Sequence, residues 1–216
     1  MQKRLLIIHG LNQLKFSFRN MLLELEKDGY IIHYFSYSNK ETIPEIVMRL
    51  RQFLEQQGVQ EYFAVTMSFG AIILRNYLAR FGTESLNHAV MIGPPNRGAI
   101  LLRAAIQDRK WKLLLGRLIE DFLDHESDYL PLTPDFFVGI IAGTKVKVYS
   151  PPVPNSYINT FFDSRDSDGK VKIEETKLSF MKDFVTVDEC HDLLLSSPEV
   201  VRYTKEFLNT GSFSNI

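Results

Sequence analysis

The chain alternates between short, unbroken apolar runs and longer stretches in which apolar residues recur every three or four positions. Residues 5–8 form the first run, LLII, closed by His9-Gly10; four aliphatic residues without a polar interruption predict a strand buried on both faces. Over 16–27 the apolar positions Phe18, Met21, Leu22 and Leu25 follow helical spacing and stop before Gly29. Residues 30–35 are strand-like again. Thr42 then precedes a helix with Pro44 and Glu45 in its first turn and Ile46, Leu50, Phe53 and Leu54 on its apolar face, ending at Gly58. Residues 62–67 predict a strand, 71–81 a helix ending at Gly82, and 89–92 a strand followed by GPPNRGA. Strands separated by helices through short loops predict a mostly parallel sheet with helices on both faces.

This regularity breaks after Gly98. The stretch LLRAAIQDRKWKLLLGRLIEDFL is helical and amphipathic, interrupted at Gly116. It predicts a helical cap over about 99–128, inserted into a single domain spanning 1–216. Its apolar residues Leu101, Leu102, Trp111, Leu113, Leu114 and Leu115 either bury against the sheet or offer a surface to an acyl chain. A strand over 138–142 follows, then a loop over 149–162, a last strand over 184–187 and a last helix, SPEVVRYTKEFL, capped by Ser197.

Composition narrows the class. With 216 residues, 45% of them hydrophobic, the chain can bury a large core. A formal net charge of -1 supplies no long-range attraction to nucleic acid. A single cysteine excludes an internal disulfide framework and fits a reducing compartment. No stretch reaches the ~20 apolar residues of a membrane-spanning helix, and the apolar run after the basic start is too short for a signal peptide. The expectation is a soluble, cytoplasmic protein.

The chemistry concentrates at AVTMSFGAII, residues 64–73. A predicted strand runs into a serine, a glycine follows two residues later, and a helix begins. That is the layout of a nucleophile elbow, in which Ser68 stands on a strained turn at a helix N-terminus whose free N–H groups favour developing negative charge. Thr66 departs from it, because the pattern places glycine two residues before the serine. A Ser–His–acid hydrolase of this topology presents serine, acid and histidine in that order. His191, between the last strand and the last helix, can then act as base, whereas His9 and His33 precede the serine, His88 opens a strand, and His125 lies in the helical insertion. Asp163, Asp166 and Asp168 are candidates for the acid; Asp168 is preferred because Asp-Gly-x-Val makes a tight turn followed by a residue that packs inward. The same segment partly spells a calcium loop, from Ser164 through Asp166 and Asp168 to Glu175, with lysines among the would-be ligands. Cys190 beside His191 reads as a packed small hydrophobe. A backbone N–H after His9-Gly10 could pair with that of Phe69 to receive an oxyanion.

Taken together, these stretches resemble the lipase-like α/β hydrolases, especially the small bacterial serine hydrolases related to the deacylase that remodels GPI anchors. LLIIHGLNQ is similar to that family's oxyanion strand and turn, and VTMSFGAIILRNYLARF to its elbow and following helix. MIGPPNRGA, DSDGKVKIEETKL and CHDLLLSSPEVVRYTKEFL resemble its later segments, in order, from about Lys3 to Gly211. The resemblance implies an α/β-hydrolase fold and hydrolysis of a carboxylic ester or acyl lipid. It implies Ser68 as nucleophile, His191 as base, Asp168 as its partner, and Leu11 and Phe69 as oxyanion N–H donors, with no metal or organic cofactor. The chain departs from the family's pattern at Thr66, Met67 and Ala71, where Gly, His and Gly are usual. Those departures leave a second expectation open, a catalytically silent module that binds a lipid or a protein partner.

Overall fold

The computed structural model describes residues 3–11, 15–130, 135–147 and 166–213. The loop expected over 149–162, Asp163 and Ser164 lie outside the described residues. Six strands form one sheet: β1 (Lys3–Ile8), β2 (Tyr30–Phe35), β3 (Tyr62–Met67), β4 (Leu86–Ile92), β5 (Val138–Gly143) and β6 (Asp183–Val187), in the order β2-β1-β3-β4-β5-β6. The sheet was expected to be mostly parallel; every pairing in it is parallel. Strand β1 is paired on both sides, with Ile8 opposite Phe35 of β2 on one side and Thr66 of β3 on the other.

Three helices connect the early strands: α1 (Arg19–Lys27), α2 (Ile43–Gln56) and α3 (Gly70–Phe81). Between β4 and β5 lie α4 (Ile100–Ala105), α5 (Arg109–Asp124) and α6 (Glu126–Tyr129). A short α7 (Ile173–Thr176) precedes β6, and α8 (Pro198–Thr210) closes the chain. The two-residue period of the strands divides the core. Leu5, Ile7, Val65, Met67, Val90 and Ile92 face α1 and α8. Leu6, Ile8, Ala64 and Met91 face α2, α3 and α5. Both faces are covered, so the strands read as continuous apolar runs rather than alternating ones. Each fully buried aliphatic side chain contributes about 1.5–3 kcal/mol relative to leaving it in water.

Element boundaries follow local chemistry. Thr42 and Glu45 form a reciprocal capping box that starts α2. The helix expected over 16–27 opens instead as a 3-10 turn, Lys15–Phe18, and α1 begins only at Arg19. Its N-cap is Phe18, which has no oxygen to accept the free N–H groups. Ser197 stands at the N-cap of α8 as expected, yet its side chain makes no capping bond; Pro198 in the first turn fixes the start. Strand β4 begins at Leu86, three residues before the apolar run that predicted it, because its first half is only partly covered and the backbone pairing of Leu86 with Tyr62 extends beyond the burial.

Gly116 interrupts α5 as expected, with φ 73° and ψ -174°. A Cβ there would stand 2.6 Å from the carbonyl oxygen of Asn39, in the loop after β2. Asn39 replaces the helical bonds lost at this kink: its Nδ2 donates to the Leu114 carbonyl and its carbonyl accepts from the Leu118 N–H. The kinked insertion is thereby fastened to the carboxyl edge of the sheet, and Phe122 of α5 packs edge-on against Phe69 with ring centres 5.2 Å apart.

Candidate active site

The connections after β1 and β3 leave the sheet in opposite directions, so a crevice opens at the carboxyl ends of these two strands. In open parallel sheets this is where ligands bind. Ser68 occupies the end of β3. It has φ 50°, and among the described residues it is the sole non-glycine residue with positive φ. A β-carbon in this region costs about 1–2 kcal/mol, which the surrounding structure must hold in place.

Three contacts hold it. The Ser68 N–H donates to the Ile92 carbonyl at 2.8 Å, tying the turn to the end of β4. Its own carbonyl accepts from the Ala71 N–H at 3.0 Å, starting the ladder of α3. Gly70 then allows α3 to press against β1: a Cβ there would lie 2.5 Å from the Ile8 carbonyl oxygen and 2.7 Å from that of His9. No side chain fits, which is the physical reason for glycine two residues after the serine. The Phe69 N–H stands before the ladder, among the first-turn donors that have no intrahelical partner. Leu11, half-buried, follows the end of β1.

The structure brings Asp168 and His191 together. Nδ1 of His191 lies 2.6 Å from Oδ2 of Asp168, and both side chains are buried. Oδ1 of Asp168 accepts the N–H groups of Lys170 at 2.9 Å and Val171 at 2.8 Å. The backbone reinforces the pair, with the His191 N–H donating to the Asp168 carbonyl at 2.9 Å. A carboxylate only accepts, so Nδ1 is the donor of this bond. The tight turn read from Asp-Gly-x-Val is present, with φ 91° at Gly169. A second bridge spans the same two loops: Lys170 Nζ is 2.5 Å from Asp192 Oδ1.

Two glycines at strand ends let these groups converge. A Cβ on Gly143, the last residue of β5, would lie 2.3 Å from the Glu189 carbonyl oxygen and 2.8 Å from Cβ of Asp168. A Cβ on Gly93, just after β4, would lie 3.2 Å from both Cε1 of His191 and Oδ2 of Asp168. The His191 ring therefore rests beside Gly93, one residue beyond the carbonyl that anchors Ser68. Among the described residues the Ser68 hydroxyl makes no hydrogen bond to His191; in enzymes without substrate such bonds are often long and tighten on binding.

Sequence reasoning passed over His9, which precedes the serine in the chain. It is buried, its Nε2 accepts the Tyr37 N–H at 3.1 Å, and its Nδ1 donates to the Gly10 carbonyl at 2.6 Å. Its ring stacks on Tyr37 at 4.3 Å, and the Tyr37 hydroxyl donates to its carbonyl at 2.9 Å. Burial lowers the pKa of His9 below 6.5, which keeps it neutral. It fixes the backbone leading into Leu11. The apolar-run-then-His-Gly spelling was the available signal, but only the fold shows that the ring turns inward.

Thr66 sits fully buried near the carboxyl end of β3, and its hydroxyl has no hydrogen-bond partner among the described residues. The carboxylates that a calcium loop would need have other partners. Asp166 faces Lys172 at 3.8 Å, Asp168 holds His191, and Glu175 accepts the N–H groups of Lys172 and Ile100, both at 2.9 Å. No group of three His, Cys, Asp or Glu residues poised for a metal occurs among the described residues. Cys190 is buried, and burial raises its thiol pKa, which disfavours the thiolate. His125 is exposed on α6's approach, bonded to the Asp121 carbonyl, and His88 packs between Phe63 and Phe137.

Among solved structures, the chain is similar to a mature lipase of Bacillus licheniformis, with a TM-score of 0.69 and 16% identity over 97% of this chain and 92% of that one. It is similar to a bromoperoxidase of Bacillus anthracis (TM-score 0.65, 17% identity, 97% and 92% of the two chains). A carboxylesterase structure from Nitrososphaera gargenis superposes with a TM-score of 0.59 at 14% identity, over 97% and 91%. No family model matches the chain, and no curated protein sequence matches it. No helix among the described residues is long and apolar enough to cross a membrane. The sheet order, the helices on both faces and these likenesses together identify the α/β-hydrolase fold.

Proposed function

We propose that the chain is a serine hydrolase of carboxylic esters, with Ser68 as nucleophile, His191 as general base and acid, and Asp168 as the group that orients the histidine. The observation that carries this reading is the strained backbone of Ser68 at the strand-to-helix turn, beside a buried His191–Asp168 pair. Solved neighbours that are lipases and carboxylesterases support the same reaction class.

In the first step the Ser68 oxygen bonds to the ester carbonyl carbon while its proton passes to Nε2 of His191. The oxyanion is received by the N–H groups of Phe69 and Leu11. His191 then gives the proton to the leaving alkoxide as the C–O bond breaks, leaving an acyl-enzyme. Water attacks the acyl carbon, losing its proton to His191, and the carboxylic acid departs as Ser68 is reprotonated. The Asp168 carboxylate fixes the tautomer and stabilises the imidazolium without taking the proton itself. Each oxyanion donor contributes about 10²–10³ in turnover. Helices α4 to α6 form the cap, about 99–128, of a single domain over 1–216, and the substrate is a small ester or acyl lipid. Neither metal nor organic cofactor enters the mechanism.

Intact-mass spectrometry after incubation with a fluorophosphonate tests the reading. One adduct on the wild type and none on Ser68→Ala is expected, with loss of esterase activity and an unchanged melting curve in the variant. A well-folded wild type that takes no adduct and hydrolyses no ester would instead point to the silent binding module that Thr66 and Met67 left open.

A further inference from the structure

The insertion between β4 and β5 has an outer tip that the fold leaves uncovered. Leu115 of α5 is buried and Trp111 is half-buried against the core, but Leu113 is 85% exposed and Leu114 47% exposed. The surrounding sequence, RKWKLLLGR over residues 109–117, contains four cations and no acid. Arg109 and Lys110 are exposed and have no ion-pair partner among the described residues; Lys112 meets Glu120 at 3.5 Å and Arg117 meets Glu45 at 3.3 Å. Lys40, also exposed, stands beside Asn39, the residue that fastens this tip to the loop after β2.

We propose that the tip of α5 is a docking surface for an anionic lipid bilayer. Two projecting leucines beside cations that have no ion-pair partner among the described residues match the boundary between acyl chains and headgroups: the leucines enter the apolar side while Arg109, Lys110 and Lys40 meet lipid phosphates. A protein partner fits this chemistry less well, because the buried centres of protein interfaces are depleted in lysine. The surface is preformed and does not require the tip to unfold, since Asn39 and Phe122 hold α5 on the sheet. It is fastened through Asn39 to the loop after β2, at the same carboxyl edge of the sheet that carries Ser68.

The chain's one tryptophan, Trp111, lies in this tip and reports on it directly. Vesicles of phosphatidylcholine mixed equally with phosphatidylglycerol should blue-shift its fluorescence and sediment the protein, while pure phosphatidylcholine should do neither. Each charge neutralisation, such as Lys110→Gln, should weaken binding roughly fivefold, and added salt should weaken it further. Leu113→Ser/Leu114→Ser should abolish it with an unchanged circular dichroism spectrum, as both side chains face solvent. The Ser68→Ala protein should bind vesicles like the wild type, so docking and hydrolysis fail or succeed separately. Absent or charge-independent vesicle binding would overturn the proposal. So would self-association without vesicles that the leucine substitutions remove, which would assign the surface to a second copy of the chain.

Discussion

Replacing Thr66 by valine removes one hydroxyl from the middle of the sheet and keeps the side chain's shape. Thr66 lies between Ile8 of β1 and Met91 of β4, is fully buried, and leaves its oxygen without a partner among the described residues. An unsatisfied buried polar group costs about 1–3 kcal/mol, so the variant should be more stable by about that amount. For a chain of this length, each kcal/mol raises the midpoint of thermal unfolding by about 2–4 °C. The glycine usual in related elbows should act the other way. Thr66→Gly deletes three heavy atoms from a packed site and adds about 0.5–1 kcal/mol of backbone entropy to the unfolded chain. Thermal and urea unfolding of both variants, with fluorophosphonate labelling as a check on the site, provides the assay. A valine variant less stable than the wild type by 1 kcal/mol or more, a threshold set by the same hydroxyl cost, would show that the hydroxyl is satisfied and would refute the reasoning.

Gly143→Ala places a methyl group where the Glu189 carbonyl and Asp168 already stand, at 2.3 and 2.8 Å. It should cost about 1–3 kcal/mol and displace the acid loop, so ester turnover should fall more than unfolding alone accounts for; unchanged turnover would contradict the packing described. The folded-state pKa of His9 is lowered, so its contribution to stability is present above 6.5 and is lost as pH falls through the folded value. Urea midpoints between about pH 5 and 7 should therefore drop on the acid side for the wild type and less so for His9→Asn. Equal slopes would remove His9 from the account. Burial raises the Glu175 pKa above 4.5, which has the opposite sign: its contribution is full below 4.5 and is lost as pH rises through the folded value. Glu175→Gln should flatten that part of the curve, and a curve parallel to the wild type would refute it.

Much of the site was legible in the chain because its signals are local. A strand, a short turn and a helix in immediate succession make the strained turn, so Ser68 and Gly70 mark it within ten residues. Asp168 and His191 were readable for a related reason. Asp168 lies between β5 and β6 and His191 shortly after β6, and the carboxyl ends of parallel strands meet at one edge. Thr42 with Glu45 likewise announced α2 through a bond that spans only three residues. The boundaries of β4 and α1 were less legible, because pairing continues past the buried run and the cap position carried no polar side chain.

What the sequence by itself determined, then, is the succession of elements and the order of the candidate site's side chains, both consequences of periodicity and of short-range turn chemistry. Tertiary structure alone decided the rest. It turned His9 inward onto Tyr37, left the Thr66 hydroxyl unmatched, and made Gly93 and Gly143 the points where His191 and Asp168 can approach. It also separated the insertion's leucines, burying Leu101 and Leu115 while exposing Leu113 and Leu114. These outcomes depend on which distant parts of the chain the fold brings against a given residue. No periodicity along a single chain encodes that; it is fixed only when the sheet has chosen its strand order and register.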